Sequence, residues 1–168
     1  HGIDIWNVYD FMFKDKKEVP HLKVLEIIIP SNSKFIVESK SMKLYLNSFY
    51  DIAFTNQSEI LKKIKRDLKS LIKDDVKLRF IDKFSVEPKN INLNQSNCET
   101  IQRRKIIKCN GFRSICPVTS QPDFANIYIY SSVSLSRDWL LSYLTSFKDH
   151  GDFHEQCIES VFNTILRN

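Results

Sequence analysis

The first half of the chain alternates between the hydrophobic spacing of strands and that of helices. Two short β-branched runs, residues 23–29 and 34–38, are separated by a polar Pro-Ser-Asn-Ser turn and predict a β-hairpin. Apolar residues at helical spacing then predict one helix over 42–49 and a second over 60–72. Apolar and basic residues alternate over 76–80, which is typical of a half-buried strand. The predicted order is strand, strand, helix, helix, strand.

The second half repeats part of this order after a polar segment. Residues 87–100 are rich in Pro, Asn, Gln and Ser, which predicts a boundary loop, and we assign one module to 1–92 and the other to 93–168. The later patterns predict two strands and then two helices, over 105–109 and 126–131 and over 140–147 and 158–165. The repeat is one of element order rather than of residues, and it favours two related halves. Because only the first half continues into a further strand, we expect the second module to lack its last strands.

The composition indicates a globular protein and excludes several kinds of site. At 168 residues with 42% hydrophobic side chains, the chain can form one good core or two small ones. Its apolar runs are far shorter than the roughly 20 residues that cross a bilayer, so we expect a cytoplasmic protein without a membrane partner. Much of the net charge of +5 lies on the second predicted helix, where a solvated face explains it better than a nucleic-acid site. Only three glycines are present, which excludes the glycine-rich dinucleotide and phosphate loops.

A candidate nucleophile lies in the stretch FRSICPVTSQPD, residues 112–123. Its two prolines argue against a helix interior or a central strand. The four cysteines are expected to be free thiols. Nearby positive charge lowers a thiol pKa, and Arg113 is close to Cys116 in the sequence, although this does not establish that the two are close in space. Cys116 is a candidate for covalent catalysis, with a buried structural cysteine as the alternative. Asp123 is suited to exchange a proton with that thiol, although Pro-Asp is also ordinary turn chemistry.

The stretch HGDFHEQC, residues 150–157, admits two interpretations. Its two histidines and Cys157 have spacings that suit zinc on a helix face, together with one of the earlier cysteines. Its two acidic residues, Asp152 and Glu155, instead fit a capping box that starts the last helix. Spacing favours capping, and we assign no metal.

A third candidate segment, VESKSMKLYLNSF, covers residues 37–49. Glu38 ends a predicted strand, and the Ser-Lys-Ser stretch that follows is suited to cap the next helix. Hydroxyl groups and a lysine at a helix start also attract phosphate, although lysines at such positions are commonly only solvated.

Together and in this order, these segments resemble the long, two-module form of the 7-cyano-7-deazaguanine reductase family, the NADPH-dependent nitrile reductases of queuosine biosynthesis. The ESKS and FHEQC segments are highly specific, and the resemblance spans nearly the whole chain. The family extends beyond both ends of this sequence, so we expect a fragment of the enzyme. The segments that carry the resemblance are DIW (4–6), VESKSMKLYLNSF (37–49), CPVT with QPD (116–123) and FHEQC (153–157).

The resemblance implies a fold, an assembly and a reaction. The fold is the tunnelling fold, an α+β architecture of two tandem modules, each an antiparallel sheet with two helices. Subunits of the family join their sheets around a tunnel, which implies a homo-oligomer, expected as a dimer, with no direct nucleic-acid partner. The nitrile of 7-cyano-7-deazaguanine becomes the amine of 7-aminomethyl-7-deazaguanine through a covalent thioimide and two hydrides from NADPH. The product serves tRNA modification.

The resemblance also implies roles for individual residues. The nucleophile is Cys116 and the proton donor is Asp123. The carboxylates of Glu38 and Glu155 suit the donor edge of a deazaguanine. The implied catalytic residues are Cys116, Asp123 and His154, the substrate contacts are Val37, Glu38, Ser39, His154 and Glu155, and the NADPH contacts are Ser39 and Lys40.

Two other functions stay open at this point. The tunnelling fold also carries zinc-dependent GTP cyclohydrolase chemistry, for which the histidines and cysteines would be ligands, and metal analysis would distinguish it. A non-catalytic purine-binding module would bind the nitrile base tightly without a covalent adduct.

Overall fold

The computed structural model describes residues 2–167, and the chain divides into two compact units between Ser85 and Val86. Each unit combines β-sheet with two α-helices, so the protein is of the α+β class. No helix within the described residues has both the length and the apolar character needed to cross a membrane.

The sheet of the first unit is built on a long hairpin. Strands β1 (Ile3–Asp15) and β2 (Pro20–Pro30) pair antiparallel. Strand β3 (Ala53–Phe54) pairs with the end of β1, and β4 (Lys77–Ile81) pairs with β2, which gives the order β3-β1-β2-β4. The strand predicted over 76–80 is therefore present as β4.

The hairpin predicted across the Pro-Ser-Asn-Ser turn is wrong, because the partner of β2 is β1 and residues 34–38 form no strand. The true turn, residues 16–19, has none of the Gly, Pro or Asn residues that usually signal a hairpin. Instead the carboxylate of Asp15 accepts hydrogen bonds from the amides of Lys17 at 2.8 Å and Val19 at 3.1 Å. This side chain stabilises the turn in place of the expected turn residues.

Two helices pack against this sheet at the predicted places. Helix α1 (Ser39–Asn47) leads into a 3-10 helix, Ser48–Asp51, and helix α2 (Gln57–Ile72) follows. Asn56 caps α2, because its side chain accepts a hydrogen bond from the amide of Glu59 at 3.0 Å. The core is formed by apolar side chains of the sheet and both helices, among them Phe11, Leu25, Ile27, Met42, Phe49, Ile60, Ile64 and Ile72.

The second unit has a three-stranded sheet, a two-stranded ribbon and two helices. The sheet runs in the order β5-β7-β8 and the ribbon pairs β6 with β9. The predicted strands and helices are present here, although β7 extends further than expected. The elements are β5 (Ile91–Asn92), β6 (Thr100–Ile101), β7 (Ile106–Ile115), β8 (Pro122–Tyr130), β9 (Leu135–Ser136), α3 (Arg137–Thr145), a 3-10 helix (Ser146–Asp149) and α4 (His154–Arg167).

A β-bulge in β7 decides which of the following side chains face the core. The register of β7 against β8 shifts between Cys109 and Phe112, where β7 carries one extra residue. Gly111 lies in this bulge with a φ of 71°, in the left-handed region that glycine adopts without strain. Because side chains alternate along a strand, the extra residue turns Phe112 and Ser114 to the core face, where both are buried.

The two units repeat residues as well as element order, so the interpretation of a repeat in order alone is wrong. The sequence YLNSFYD at 45–51 corresponds to YLTSFKD at 143–149, and each spans the end of the first helix of its unit. The tyrosine ring meets the phenylalanine ring edge to face in both copies, at 5.3 Å in the first unit and 5.4 Å in the second.

The hairpins of the two units also correspond. Each has a bulge in its first strand, followed by Phe11 in β1 and Phe112 in β7. Each of these rings contacts the phenylalanine of its own repeated motif, at 5.7 Å in the first unit and 5.4 Å in the second. By this correspondence, Phe13 of the first unit occupies the position that Ser114 occupies in the second.

Candidate active site

Cys116 lies in the tight turn that joins β7 to β8. Its amide donates to the carbonyl oxygen of Gln121 at 2.8 Å, and its carbonyl oxygen accepts from the amide of Ser120 at 2.9 Å. Ser120 has a φ of 57°, in the left-handed region. The prolines stand in the turn and at the first position of β8, where the strand pairing does not need their missing amide. The turn therefore holds a half-buried thiol on a stiff loop.

The turn itself lowers the pKa of the Cys116 thiol. The largest cause is a hydrogen bond with the Thr119 hydroxyl, followed by the backbone amides of Thr119 and Val118. Partial burial and the negative charge of Asp123 act in the opposite direction. The net direction favours the thiolate, which is the nucleophilic form.

Arg113, which is close to Cys116 in the sequence, is not among the causes of the lowered thiol pKa. Its guanidinium donates to the carbonyl oxygen of Lys148 and forms an ion pair with Asp149 at 3.1 Å. Arg113 and Ser114 are neighbours in β7, so their side chains point to opposite faces of the sheet. Proximity in the sequence was therefore a poor guide to the charge around the thiol.

Asp123 lies on the inner face of the hairpin, directly opposite Ser114. Residues directly opposite each other in an antiparallel pair have their side chains on the same face. The carboxylate is close enough to Cys116 for its charge to raise the thiol pKa. Within residues 2–167, the carboxyl group of Asp123 makes no hydrogen bond and no ion pair. It is thus available to a ligand.

The start of α4 brings His154 to the same inner face. Its ring lies edge-on to Phe112 with the centroids 6.3 Å apart. Its Nε2 atom is buried and has no hydrogen-bond partner among the described residues. A buried polar atom without a partner destabilises the folded state unless a ligand or water supplies the missing hydrogen bond. Glu155, the next residue, is half-buried. In the second unit, Asp123 and His154 therefore lie on the same face of the hairpin, and Cys116 lies in the turn at its end, within electrostatic reach of Asp123.

The capping box predicted from Asp152 and Glu155 is wrong. Helix α4 begins at His154, and the side chain of Gln156 accepts a hydrogen bond at 3.3 Å from the amide of the residue before the helix. Asp152 is instead hydrogen-bonded to the His150 ring at 2.8 Å. In the part of the chain that the structure describes, no three His, Cys, Asp or Glu side chains are grouped so as to hold a metal ion.

In the first unit, Glu38 caps α1. Its Oε1 atom accepts from the amide of Lys40 at 2.8 Å, and its Oε2 atom accepts from the amide and the hydroxyl of Ser41, both at 2.8 Å. These hydrogen bonds hold the pKa of Glu38 below its ordinary value, and the bond from the Lys40 amide is the largest cause. The capping expected from the serines is therefore performed by the glutamate before them.

The residues beside Glu38 differ in how accessible they are. The side chain of Val37 is buried in the core of the first unit. The hydroxyl of Ser39 is exposed and lies 3.5 Å from Glu38 Oε1. Lys40 is exposed and forms no salt bridge among residues 2–167, so its ammonium group is open to an anion such as phosphate. The exposed hydroxyl and the open ammonium fit a phosphorylated cofactor.

Two residues of the candidate site were not identified from the sequence. Thr119 follows Cys116 by three residues, a spacing that a turn brings together, and this signal was available. Ser114 faces the core only because of the bulge at Gly111, and no local pattern indicates that.

Comparisons with known proteins match the chain along most of its length. A family model described as nitrile reductase, 7-cyano-7-deazaguanine-reductase N-term, matches residues 1–80, and a model described as QueF-like protein matches residues 122–168. A protein of Buchnera aphidicola subsp. Schizaphis graminum is 35% identical over 187 residues, which cover 98% of this chain and 71% of that protein. A protein of Coxiella burnetii is 32% identical over 193 residues, which cover 100% of this chain and 68% of that protein. Both relatives are named NADPH-dependent 7-cyano-7-deazaguanine reductase.

Proposed function

This chain belongs to the family of NADPH-dependent 7-cyano-7-deazaguanine reductases, and we propose that it reduces the nitrile of 7-cyano-7-deazaguanine to the amine of 7-aminomethyl-7-deazaguanine. The protein is accordingly an NADPH-dependent oxidoreductase that acts on a small molecule. The reaction belongs to queuosine biosynthesis, which modifies tRNA.

One observation carries the proposal at the level of the site. The hairpin turn of the second unit holds a thiol whose pKa is lowered, with a carboxyl group within electrostatic reach. A nitrile is a weak electrophile, so its reaction needs a strong nucleophile and a proton for the nitrogen. A thiolate at Cys116 and a carboxylic acid at Asp123 meet both needs.

The reaction begins with the sulfur of Cys116. The sulfur bonds to the nitrile carbon, the carbon–nitrogen triple bond becomes a double bond, and the nitrogen takes a proton from Asp123, which gives a covalent thioimide. NADPH, when bound, would supply one hydride to the substrate carbon in each of two reductions. The carbon–sulfur bond breaks between the two reductions, which frees the Cys116 thiolate and leaves an imine, and the second reduction converts this imine to the amine.

The remaining residues would bind the base. The unpartnered Nε2 of His154 is suited to a polar atom of the substrate, and the carboxylates of Glu155 and Glu38 to the N–H donors of the deazaguanine edge. The Val37 side chain is buried in the core, so we propose that Val37 contacts the base through its backbone. Ser39 is the other proposed contact of the base in this segment.

The cofactor would bind at the start of α1. The ammonium group of Lys40 is suited to a phosphate of NADPH, and the hydroxyl of Ser39 to a further polar group. The amides of Lys40 and Ser41 are already used by Glu38, so side chains rather than the helix terminus carry this interaction.

We further propose the tunnelling fold for the chain, in two tandem modules that correspond to the two compact units on either side of the Ser85–Val86 boundary. The repeated YLxSFxD motif and the two bulged hairpins support a tandem arrangement. In this fold the sheets of several subunits join, so we propose a homo-oligomer, a dimer in the first instance, with no direct nucleic-acid contact. Four free thiols suit the reducing cytoplasm, where we place the reaction.

The test is the intact mass of the chain after it is mixed with 7-cyano-7-deazaguanine. We expect an increase of one substrate mass in the wild type and in Cys98→Ala, which removes the exposed cysteine, but none in Cys116→Ala. Addition of NADPH should discharge the adduct. Binding of the base without any adduct would overturn the proposed reaction and favour a binding module.

A further inference from the structure

Ser114 is a polar residue that the packing of the second unit does not explain. It is 0% exposed, and its Oγ atom has no hydrogen-bond partner among residues 2–167. A buried hydroxyl without a partner destabilises the folded state, and native proteins contain few of them. A function outside the core is therefore the better explanation.

The first unit shows that the fold itself needs no hydroxyl at this position. Phe13 occupies the equivalent place and is buried, and its ring stacks on the facing His21 with the centroids 5.2 Å apart. The same bulged hairpin thus accepts a large apolar side chain. The second unit has a small polar one where the hairpin carries its candidate nucleophile.

The neighbours of Ser114 are the reacting groups. Asp123 lies directly opposite on β8, and Cys116 follows two residues later in the chain. The carboxyl group of Asp123 also has no hydrogen-bond partner in the described part of the chain. An unpartnered donor therefore faces an unpartnered acceptor across one strand pair.

We propose that Ser114 is a positioning residue whose hydroxyl donates a hydrogen bond to the carboxyl group of Asp123 in the substrate complex and holds it towards the thiol of Cys116. Hydrogen bonds of active sites are often loose without substrate and tighten when it binds. The proposal rests on the function proposed above and adds the residue that orients its proton donor.

Cys157 is the other group within reach of the hydroxyl. The Ser114 hydroxyl lowers the pKa of the Cys157 thiol, but burial is the larger effect and raises it, and the two groups do not meet hydrogen-bond geometry. The thiol therefore stays protonated at neutral pH, and a neutral sulfur accepts hydrogen bonds weakly. A carboxyl oxygen is a stronger acceptor than a neutral sulfur whether or not the group is protonated, so the hydroxyl prefers Asp123.

The test compares Ser114→Ala with Ser114→Thr, which keeps the hydroxyl. Single-turnover formation of the substrate adduct is followed by rapid quench and intact mass, and affinity for the base is measured in the unreactive Cys116→Ala background. We expect Ser114→Ala to slow adduct formation roughly 10- to 100-fold, as a misplaced catalytic group does, and to change the Kd of the base less than about threefold. Ser114→Thr should recover most of the rate.

Two further comparisons separate positioning from a structural role. Ser131 is also buried, but its hydroxyl accepts from the amide of Val133 at 3.1 Å, so Ser131→Ala is a matched control that should leave the rate unchanged. In the Asp123→Asn background, Ser114→Ala should cause no further loss, because the group that it positions no longer donates the proton.

The outcomes distinguish the two proposals. A wild-type adduct that forms equally fast in Ser114→Ala, or an additive loss in Asp123→Asn, would overturn the role of Ser114 alone. Ser114→Cys, nearly equal in size but a weak donor, should be slow like Ser114→Ala, and a fast reaction in this variant also counts against the proposal. No adduct in the wild type would overturn the proposed function and the role of Ser114 with it.

Discussion

The carboxylate of Glu38 and the hydroxyl of Ser41 lie 2.8 Å apart at the first turn of α1, and the amide of Ser41 binds the same oxygen at 2.8 Å. With the amide of Lys40 on the other oxygen, Glu38 is at once a helix cap and a candidate for the donor edge of the substrate. A ligand that binds this carboxylate therefore competes with, or shares, the hydrogen bonds that start the helix.

Replacement of Glu38 by glutamine should make stability less dependent on pH. The folded state holds the pKa of Glu38 below 4.5, so the charged carboxylate stabilises the fold above that value, and this contribution is lost as the pH falls through the lowered pKa. The melting temperature of Glu38→Gln should lie below that of the wild type at neutral pH and approach it in acid. Glu159→Gln, at an exposed position of α4, serves as the control. A constant difference across this range would show that the charge of Glu38 is not stabilising.

Replacement of Thr119 by valine should raise the pKa of Cys116. The hydroxyl of Thr119 is the largest cause of the lowered thiol pKa, so its removal leaves less thiolate at a given pH. The rate of alkylation by iodoacetamide against pH reports this change, and a Cys98→Ser background removes the exposed competing thiol. The midpoint should move to higher pH in Thr119→Val and stay in place in Thr119→Ser. Coincident profiles for valine and threonine would mean that the amides alone control the thiol.

Helices were predictable from the sequence because their signals are local. The apolar spacing over residues 57–72 sets the buried face of α2, and Asn56 caps it within one turn. Strand β1 was missed for the opposite reason. Its bulge between Val8 and Phe11 breaks the alternation that marks a strand, and its turn is formed by a charged side chain, Asp15.

The sequence motifs indicated candidate residues of the site but not the groups that surround them. The sequence indicated Cys116, Asp123 and His154 as candidates, and in the second unit Asp123 and His154 lie on one face of the hairpin whose turn holds Cys116. The groups around them were not predictable, because Arg113 is paired with Asp149 and Ser114 turns inward only through a bulge. The extra residue at Gly111 moves every later side chain of the strand to the opposite face of the sheet. A prediction that assumes strict alternation along the strand therefore assigns these side chains to the wrong face.

The repeated tyrosine should contribute more to stability in the first unit than in the second. The hydroxyl of Tyr45 donates to the carboxylate of Asp67 at 2.8 Å, whereas that of Tyr143 has only neutral acceptors, the hydroxyl of Thr164 at 2.9 Å and the carbonyl oxygen of Ser160 at 3.2 Å. Hydrogen bonds to charged groups contribute about 1.5–3 kcal/mol and neutral ones about 1 kcal/mol. Partial exposure of Asp67 reduces the first figure, so Tyr45→Phe should lower the free energy of unfolding by about 1–2 kcal/mol and Tyr143→Phe by about 1 kcal/mol. Urea unfolding of both variants measures this, and a larger loss in Tyr143→Phe would contradict the ranking.

Replacement of Gly111 by alanine should affect both the fold and the chemistry of the second unit. An added Cβ would meet no atom within 4 Å, so the cost arises from the backbone alone, which holds a φ of 71°. An alanine in this region costs about 1–2 kcal/mol. Gly151→Ala is the matched control, because its Cβ also meets no atom within 4 Å and its φ lies outside the left-handed region. Unfolding in urea should show the loss in Gly111→Ala only.

If the variant relieves its strain by removing the bulge, the register that turns Ser114 and Asp123 to one face is lost, and adduct formation at Cys116 should slow by more than the stability change explains. A Gly111→Ala protein with wild-type stability and wild-type adduct formation would show that the bulge does not depend on glycine.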